Sequence, residues 1–176
     1  MKIERVWAMP SKNTFDIIPI RKFVRHYLSK SKISIDPFAR DKKWATYTND
    51  LNPNTKAEYH LFALDFLQLM VSEKVKADLV FFDPPYSARQ VKECYDNVGL
   101  KMTGRDGAWK KERNLIDKIL ISNSIVLSFG WNSIGMGKKR CYEILEILLV
   151  CHGGAHNDTI CLAERKLPDL FDNKRS

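Results

Sequence analysis

What this chain lacks narrows it first. No apolar segment approaches the length of a membrane span, and the first residues show no signal-peptide pattern, so the expected setting is cytoplasmic with no membrane partner. Only four cysteines are present, Cys94, Cys141, Cys151 and Cys161, with no CxxC pair and no dense framework. A disulfide scaffold is excluded, and reduced thiols are the simplest state. No repeat or low-complexity segment interrupts the 176 residues, which read most economically as one domain over 1–167 and a loose tail over 168–176. Acidic residues are outnumbered, 21 against 29 lysines and arginines, for a formal charge of +8 and a pI near 9.3. That balance favours a polyanionic partner, although a generically basic protein shows it too.

What is there centres on one strand and its ending. Leu79-Val80-Phe81-Phe82 is an unbroken apolar run of β-favouring residues, as expected of a strand buried on both faces of a parallel sheet. Asp83-Pro84-Pro85-Tyr86 follows at once. Two prolines end the ladder and stiffen the backbone, so a carboxylate and a phenol project from a rigid loop. In open α/β sheets the ligand crevice lies outside the carboxyl ends of strands, which places this loop there. A plain Pro-rich turn is the alternative, but a turn has no need of Tyr86.

The tetrapeptide resembles motif IV of the amino-methyltransferases, which act on exocyclic amines with S-adenosyl-L-methionine. Adenine-N6, some guanine-N2 and some glutamine methyltransferases share it. The resemblance extends in order along the chain. Thr14-Phe15 followed by Ile17, Pro19 and Ile20 resembles motif X, which implies Ser11, Asn13, Thr14 and Phe15 near the methionine end of the cofactor. Pro19 opens a predicted helix from Ile20 to Leu28, with Ile20, Phe23, Val24 and Tyr27 on one side. Ile33-Ser34-Ile35 reads as the first strand and ends in Asp36-Pro37-Phe38, which is similar to motif I. Family members place glycines next, so that backbone approaches the cofactor; this chain has Ala39 and Arg40. A different loop path, or a degenerate partner subunit with weak cofactor binding, would each follow from that departure.

Trp44 to Thr48 reads as the second strand, and Asp50-Leu51 beyond it resembles motif II, with Asp50 on the ribose hydroxyls. An Asx-type turn before Pro53 reads equally well from the residues alone. Tyr59 to Leu64 is taken as a further strand leading to Asp65-Phe66, where the family places a contact to the cofactor's adenine; a helix cap is the competing account. Further on, helices are expected to about Tyr95 and over Leu115–Leu120. Strands are expected at Ile125–Phe129, Tyr142–Val150 and Thr159–Glu164, the last antiparallel.

Candidate substrate contacts are Arg89, Trp131, Asn132, His156 and Asn157, with His152 beside them. The basic residues Lys101, Arg105, Lys110, Lys111 and Arg113, and the cluster Lys138-Lys139-Arg140, are a further grip on nucleic acid. Cys151, His152, His156 and Cys161 do not have the spacing of a common zinc finger, and no metal is assigned.

The chain is accordingly identified as resembling small adenine-N6 DNA methyltransferases of the type carried by phages and mobile elements. The implied fold is the class I S-adenosylmethionine-dependent, Rossmann-like one: a mainly parallel seven-stranded sheet, an antiparallel last strand, and helices on both faces. No insert large enough to read sequence is present, so specificity is loose, favours single strands, or is borrowed from a partner or second copy. RNA methylation on adenine N6 or guanine N2 would use the same residues. A glutamine-modifying enzyme suits the basic charge less well, and an inactive nucleic-acid-binding subunit is the reading from another class.

Overall fold

The strands lie in the order β1-β6-β7-β5-β4-β2-β3 within a single seven-stranded sheet. They are β1 (Lys2–Trp7), β2 (Ser34–Asp36), β3 (Tyr47–Thr48), β4 (Ala77–Phe82), β5 (Leu120–Gly130), β6 (Tyr142–Cys151) and β7 (Thr159–Lys166). The helices are α1 (Ile18–Leu28), α2 (Ala63–Ser72), α3 (Ala88–Asp96) and α4 (Lys110–Ile119). This computed structural model describes residues 1–101 and 109–168. Gly104, Arg105 and Gly107 of the basic segment lie outside the described residues, as does the tail after Pro168. None of the described helices is long and apolar enough to cross a membrane.

All neighbouring strands run parallel except where β7 enters antiparallel between β5 and β6. Side chains alternate across each strand, so two cores form. On one face α1 sets Ile20, Phe23 and Val24 against Leu79, Phe81, Leu127, Phe129 and Leu148. On the other, α2 and α4 set Phe66, Leu67, Met70, Ile116 and Ile119 against Ile35, Val80, Phe82 and Val126. Covering both faces explains why β4 ends in the unbroken apolar run Leu79–Phe82. Pro19 sits in the first turn of α1, where its missing N–H costs nothing.

The expected count of seven strands holds, but one member differs. Tyr59–Leu64 is not a strand: a single bridge joins Tyr59 to Asn49, and α2 begins at Ala63. The buried Asn49 side chain explains this. Its Nδ2 donates to the carbonyls of Pro37 (3.1 Å) and Leu61 (3.0 Å), and its Oδ1 accepts from Leu61 N (3.0 Å). One amide thus satisfies both backbone groups of Leu61, which a continuing ladder would have paired. Asp65 consequently lies in the first turn of α2, not at a strand end.

The seventh strand is β1, which pairs with β6 at the far edge and was not expected from its residues. Lys2, Glu4 and Arg5 keep it polar, as suits an exposed edge, and they hide its apolar alternation. The strand expected over Trp44–Thr48 shortens to Tyr47–Thr48. Trp44 instead stacks on Phe15 at 5.8 Å between ring centroids, flanked by Arg25 and Lys42.

Candidate active site

The site grows from the carboxyl ends of β2, β3, β4 and β5, which share one edge because these strands are parallel. At the end of β4, the Tyr86 hydroxyl donates a short hydrogen bond to Asp83 Oδ1 and stands 3.4 Å from Thr14 Oγ1. Tyr86 N donates to Gln90 Oε1 at 2.6 Å, and Ser87 Oγ caps α3 by accepting from Gln90 N at 3.2 Å. The loop is held from both ends, as a positioned acceptor group requires. Burial pushes the Asp83 carboxyl above its usual range, while the Tyr86 and Thr14 hydroxyls and the Arg40 charge pull it back. Tyr86 is pushed far up by burial and by the adjoining carboxylate, so it stays a neutral donor.

Towards β3 lies a cavity of about 550 Å³ bounded by Leu51, Pro53, Leu61, Phe62, Val98 and Leu100, with Asp65 on its wall. Asp50 immediately precedes the lining residue Leu51 in the chain. One carboxylate oxygen of Asp50 accepts from Asn52 N (2.9 Å) and the other from Arg40 N (3.1 Å). The Asx turn and the ligand reading therefore coexist, since each carboxylate oxygen has a second lone pair. Arg40 adopts φ 49°, the left-handed conformation that favours glycine. The Arg40 backbone thus takes a conformation that glycine adopts readily, with an arginine in place. Arg40 Nη1 donates to Lys12 O (2.9 Å) and Asn13 Oδ1 (3.1 Å), tying the N-terminal segment to the cleft. Asp36 is buried, accepts from Phe38 N (3.0 Å), and is raised well above the carboxylate range by burial, with Asp83 and Asp50 adding to the rise.

Towards β5 lies a second cavity, of about 330 Å³, lined by Phe82, Pro84, Pro85, Tyr86, Trp109, Arg113, Ser128, Trp131 and Asn132. Tyr86 meets Trp131 edge to face at 5.8 Å. Arg113 lies 5.4 Å over the Phe82 ring. Beneath, buried Glu164 accepts from Met136 N (2.9 Å) and lies 3.4 Å from Ser128 Oγ. Gly135, at φ 51°, packs so closely on this carboxylate that a Cβ would fall 2.1 Å from it. Aromatic walls, one cation and a polar floor suit a flat heterocycle with hydrogen-bonding edges.

Of the residues expected from sequence, Asp83, Pro84, Pro85, Tyr86, Trp131 and Asn132 come together, and Thr14 joins them through Tyr86. Leu51 and Asp65 line the other cavity, and Asp50 precedes Leu51 in the chain. Ser11 is exposed and accepts from Asn13 N at 3.3 Å, while Phe15 is buried against Phe81 and Phe129. Pro37 is buried, Phe38 packs on Phe82 and Trp109, and Phe66 is fully buried against Tyr59. Arg89 faces solvent in an ion pair with Glu93, and His156 and Asn157 line neither cavity. His152 is buried between Ala8 O (2.8 Å) and Thr159 Oγ1 (2.9 Å), a structural role in place of the expected substrate contact. Arg140 is engaged with Met136 O and Asn114.

Trp109, Arg113, Ser128 and Glu164 were not singled out for this pocket. Ser128 was findable, because it lies beside Phe82 in the β4–β5 register. Trp109 and Arg113 arrive from a segment whose basic charge masked its aromatic.

No family profile matches the chain, and no curated protein is recognisably similar in sequence. Solved structures are. SMU.776, whose methyltransferase assignment is provisional, was solved with SAH; it matches at TM-score 0.58 and 15% identity over 82% of this chain and 49% of its own. The chain thus spans about half the length of that protein. The N-methyltransferase NodS of Bradyrhizobium japonicum matches at 0.55 and 10% identity, over 89% of this chain and 99% of its own. A SAM-dependent methyltransferase of Agrobacterium tumefaciens matches at 0.54 and 10%, over 86% and 62%. The chain has the fold of S-adenosylmethionine-dependent methyltransferases.

Proposed function

We propose that this protein is an S-adenosylmethionine-dependent methyltransferase that methylates the exocyclic N6 amine of adenine in DNA. The observation that carries this is the braced loop at the end of β4, where Tyr86 bonds Asp83 and Pro84, Pro85 and Tyr86 line an aromatic pocket. The cleft towards β3 suits the cofactor. Asp65 on its wall presents an acceptor for the adenine amine, Asp50, just before the lining Leu51, presents acceptors for ribose hydroxyls, and apolar side chains flank the ring. The negative field of Asp50 and Asp83 favours a sulfonium, which supplies an electrophilic methyl group.

The acceptor base lies in the second cavity against Tyr86 and Trp131. Because Tyr86 is committed to Asp83 Oδ1, Asp83 Oδ2 and the Pro84 carbonyl take the N–H groups of the target amine. They aim its lone pair and disperse the positive charge that develops on nitrogen. The surplus proton then leaves to water. A pocket of this depth requires a base that is unpaired or flipped out, at a cost of about a few kcal/mol from a duplex. The net charge of +8 supplies attraction to the phosphate backbone.

The test is transfer of labelled methyl to single-stranded DNA, duplex DNA and RNA, followed by nucleoside analysis. Label in N6-methyladenine from DNA, strongest from single strands, is expected. Label confined to RNA or to guanine would reassign the substrate, and none in any nucleic acid would reject the proposal.

A further inference from the structure

β1 closes one end of the sheet, and among the described residues no strand pairs with its outer side. Its register with β6 is constant from Lys2 to Trp7, and Ala8 N continues it by donating to Cys151 O at 3.1 Å. Hydrogen-bonding direction alternates along a strand, so the even residues turn their N–H and C=O towards β6. Ile3, Arg5 and Trp7 turn theirs outward, as a free row of donors and acceptors.

The side chains of these three residues share one face of the sheet, beside Ile147, Leu149 and Cys151 of β6. Val6, between them, packs on the α1 core, so the three lie on the face of α2 and α4. The core under those helices takes in no residue of β1, and of β6 only Tyr142. The connection from β5 to β6 holds one short turn of 3-10 helix, Lys138–Arg140, and no longer helix to cover this part of the sheet. Ile3 and Trp7 are each 65% exposed and Met9 is 68% exposed, so apolar side chains stand beside unpaired backbone. That combination is a template for a further strand.

Self-complementarity names the occupant. A second copy related by a two-fold axis adds its β1 antiparallel, and the outward groups require odd residues to face odd residues. Pairing about Glu4 opposes two carboxylates, and pairing about Arg5 opposes two guanidinium groups; like charges directly opposite disfavour both. Pairing about Ile3 leaves Trp7 and Met9 uncovered and asks Lys2 and Glu4 to exchange the ion pair they already make. Pairing about Trp7 leaves Ile3 facing Ser11. Pairing about Val6 joins the two Val6 side chains at the axis, places Arg5 against the Trp7 indole and Ile3 against Met9, and opposes no like charges. We propose that β1 is the interface for a second copy of this chain, paired antiparallel about Val6 into one sheet continuous across both copies. The two strand-end edges then point in opposite directions, so neither copy completes the other's site.

Sedimentation equilibrium of the full chain from about 1 to 100 µM tests it, a range that suits an interface at the small end of the specific ones. The unaltered protein is expected to pass from monomer to dimer. Trp7→Arg opposes two cations at both symmetric positions and is expected to weaken the dimer by about tenfold or more. Trp7→Glu faces Arg5 with a carboxylate and is expected to hold the dimer within about threefold. Adding Arg5→Glu to Trp7→Arg makes the charges opposite again and is expected to restore association, which a merely misfolded chain would not do. A monomer throughout the range would overturn the proposal and leave this edge to a partner of other chemistry. So would a dimer indifferent to Trp7→Arg, one lost equally in Trp7→Glu, or one that Arg5→Glu does not restore.

Discussion

The two cavities, one towards β3 and one towards β5, are built in different ways. The cleft towards β3 draws most of its wall from one stretch, Leu51 to Asp65, and only Asn97, Val98 and Leu100 come from farther along the chain. The pocket towards β5 is assembled from afar, with Tyr86, Trp109, Arg113, Ser128 and Trp131 meeting over a carboxylate from β7. Local construction leaves short motifs in a sequence, and remote construction leaves scattered residues. A common nucleotide-like ligand needs only the first kind. A particular acceptor needs the second.

If the comparison holds, substitutions on one side of Asp83 leave the other side's ligand alone. The largest effect outside Asp83 itself belongs to the hinge between the two sides. Tyr86→Phe removes the donor that helps keep Asp83 ionised, so its raised carboxyl climbs further. Transfer at neutral pH should fall by about 10- to 100-fold, and the acid limb of the pH–rate profile should move to higher pH. Cofactor affinity should stay put.

On the acceptor side, Trp131→Ala removes a stacking wall worth roughly 1–3 kcal/mol. The KM for single-stranded DNA should rise by about tenfold in steady-state assays, with S-adenosylhomocysteine binding unchanged. On the cofactor side, Asp50→Ala should weaken S-adenosylhomocysteine and methylthioadenosine alike, by about tenfold, because the ribose is common to both. A variant that moved both sides together would show the cavities to be one site.

The smallest effect concerns stability. Burial raises the Asp36 carboxyl far above its unfolded value, so the folded state prefers it protonated, and that preference is lost as pH rises through the folded value. Asp36→Asn keeps an acceptor for Phe38 N and removes the charge. Its melting temperature should exceed that of the unaltered protein at pH 8, with the gap closing towards pH 4.

The same contrast explains what could be read from the residues. The β4 run, the Asp83 loop, the α1 apolar face and the closing β6–β7 pair all follow from short-range pattern. The edge strand β1 does not, because Lys2, Glu4 and Arg5 bury no apolar face that would announce it. Tyr59–Leu64 misled for the opposite reason. It has strand-like residues, but after the single bridge at Tyr59 the Asn49 amide takes both backbone groups of Leu61, and α2 begins at Ala63. Phe15 and Phe66 stand beside motif residues in the chain and yet point into the two cores. Arg113 lines the pocket towards β5, and Glu164 lies beside Ser128, through packing that no spacing in the sequence encodes.

The central claim is that Asp83 activates an acceptor held in one cavity towards a methyl group held in the other. Single-turnover transfer by Asp83→Ala, with labelled S-adenosylmethionine and single-stranded DNA both saturating, tests this most directly. Normal affinity for both ligands with transfer slowed by about a thousandfold or more is the predicted result. Transfer within about tenfold of the unaltered protein, with both ligands bound, would contradict it.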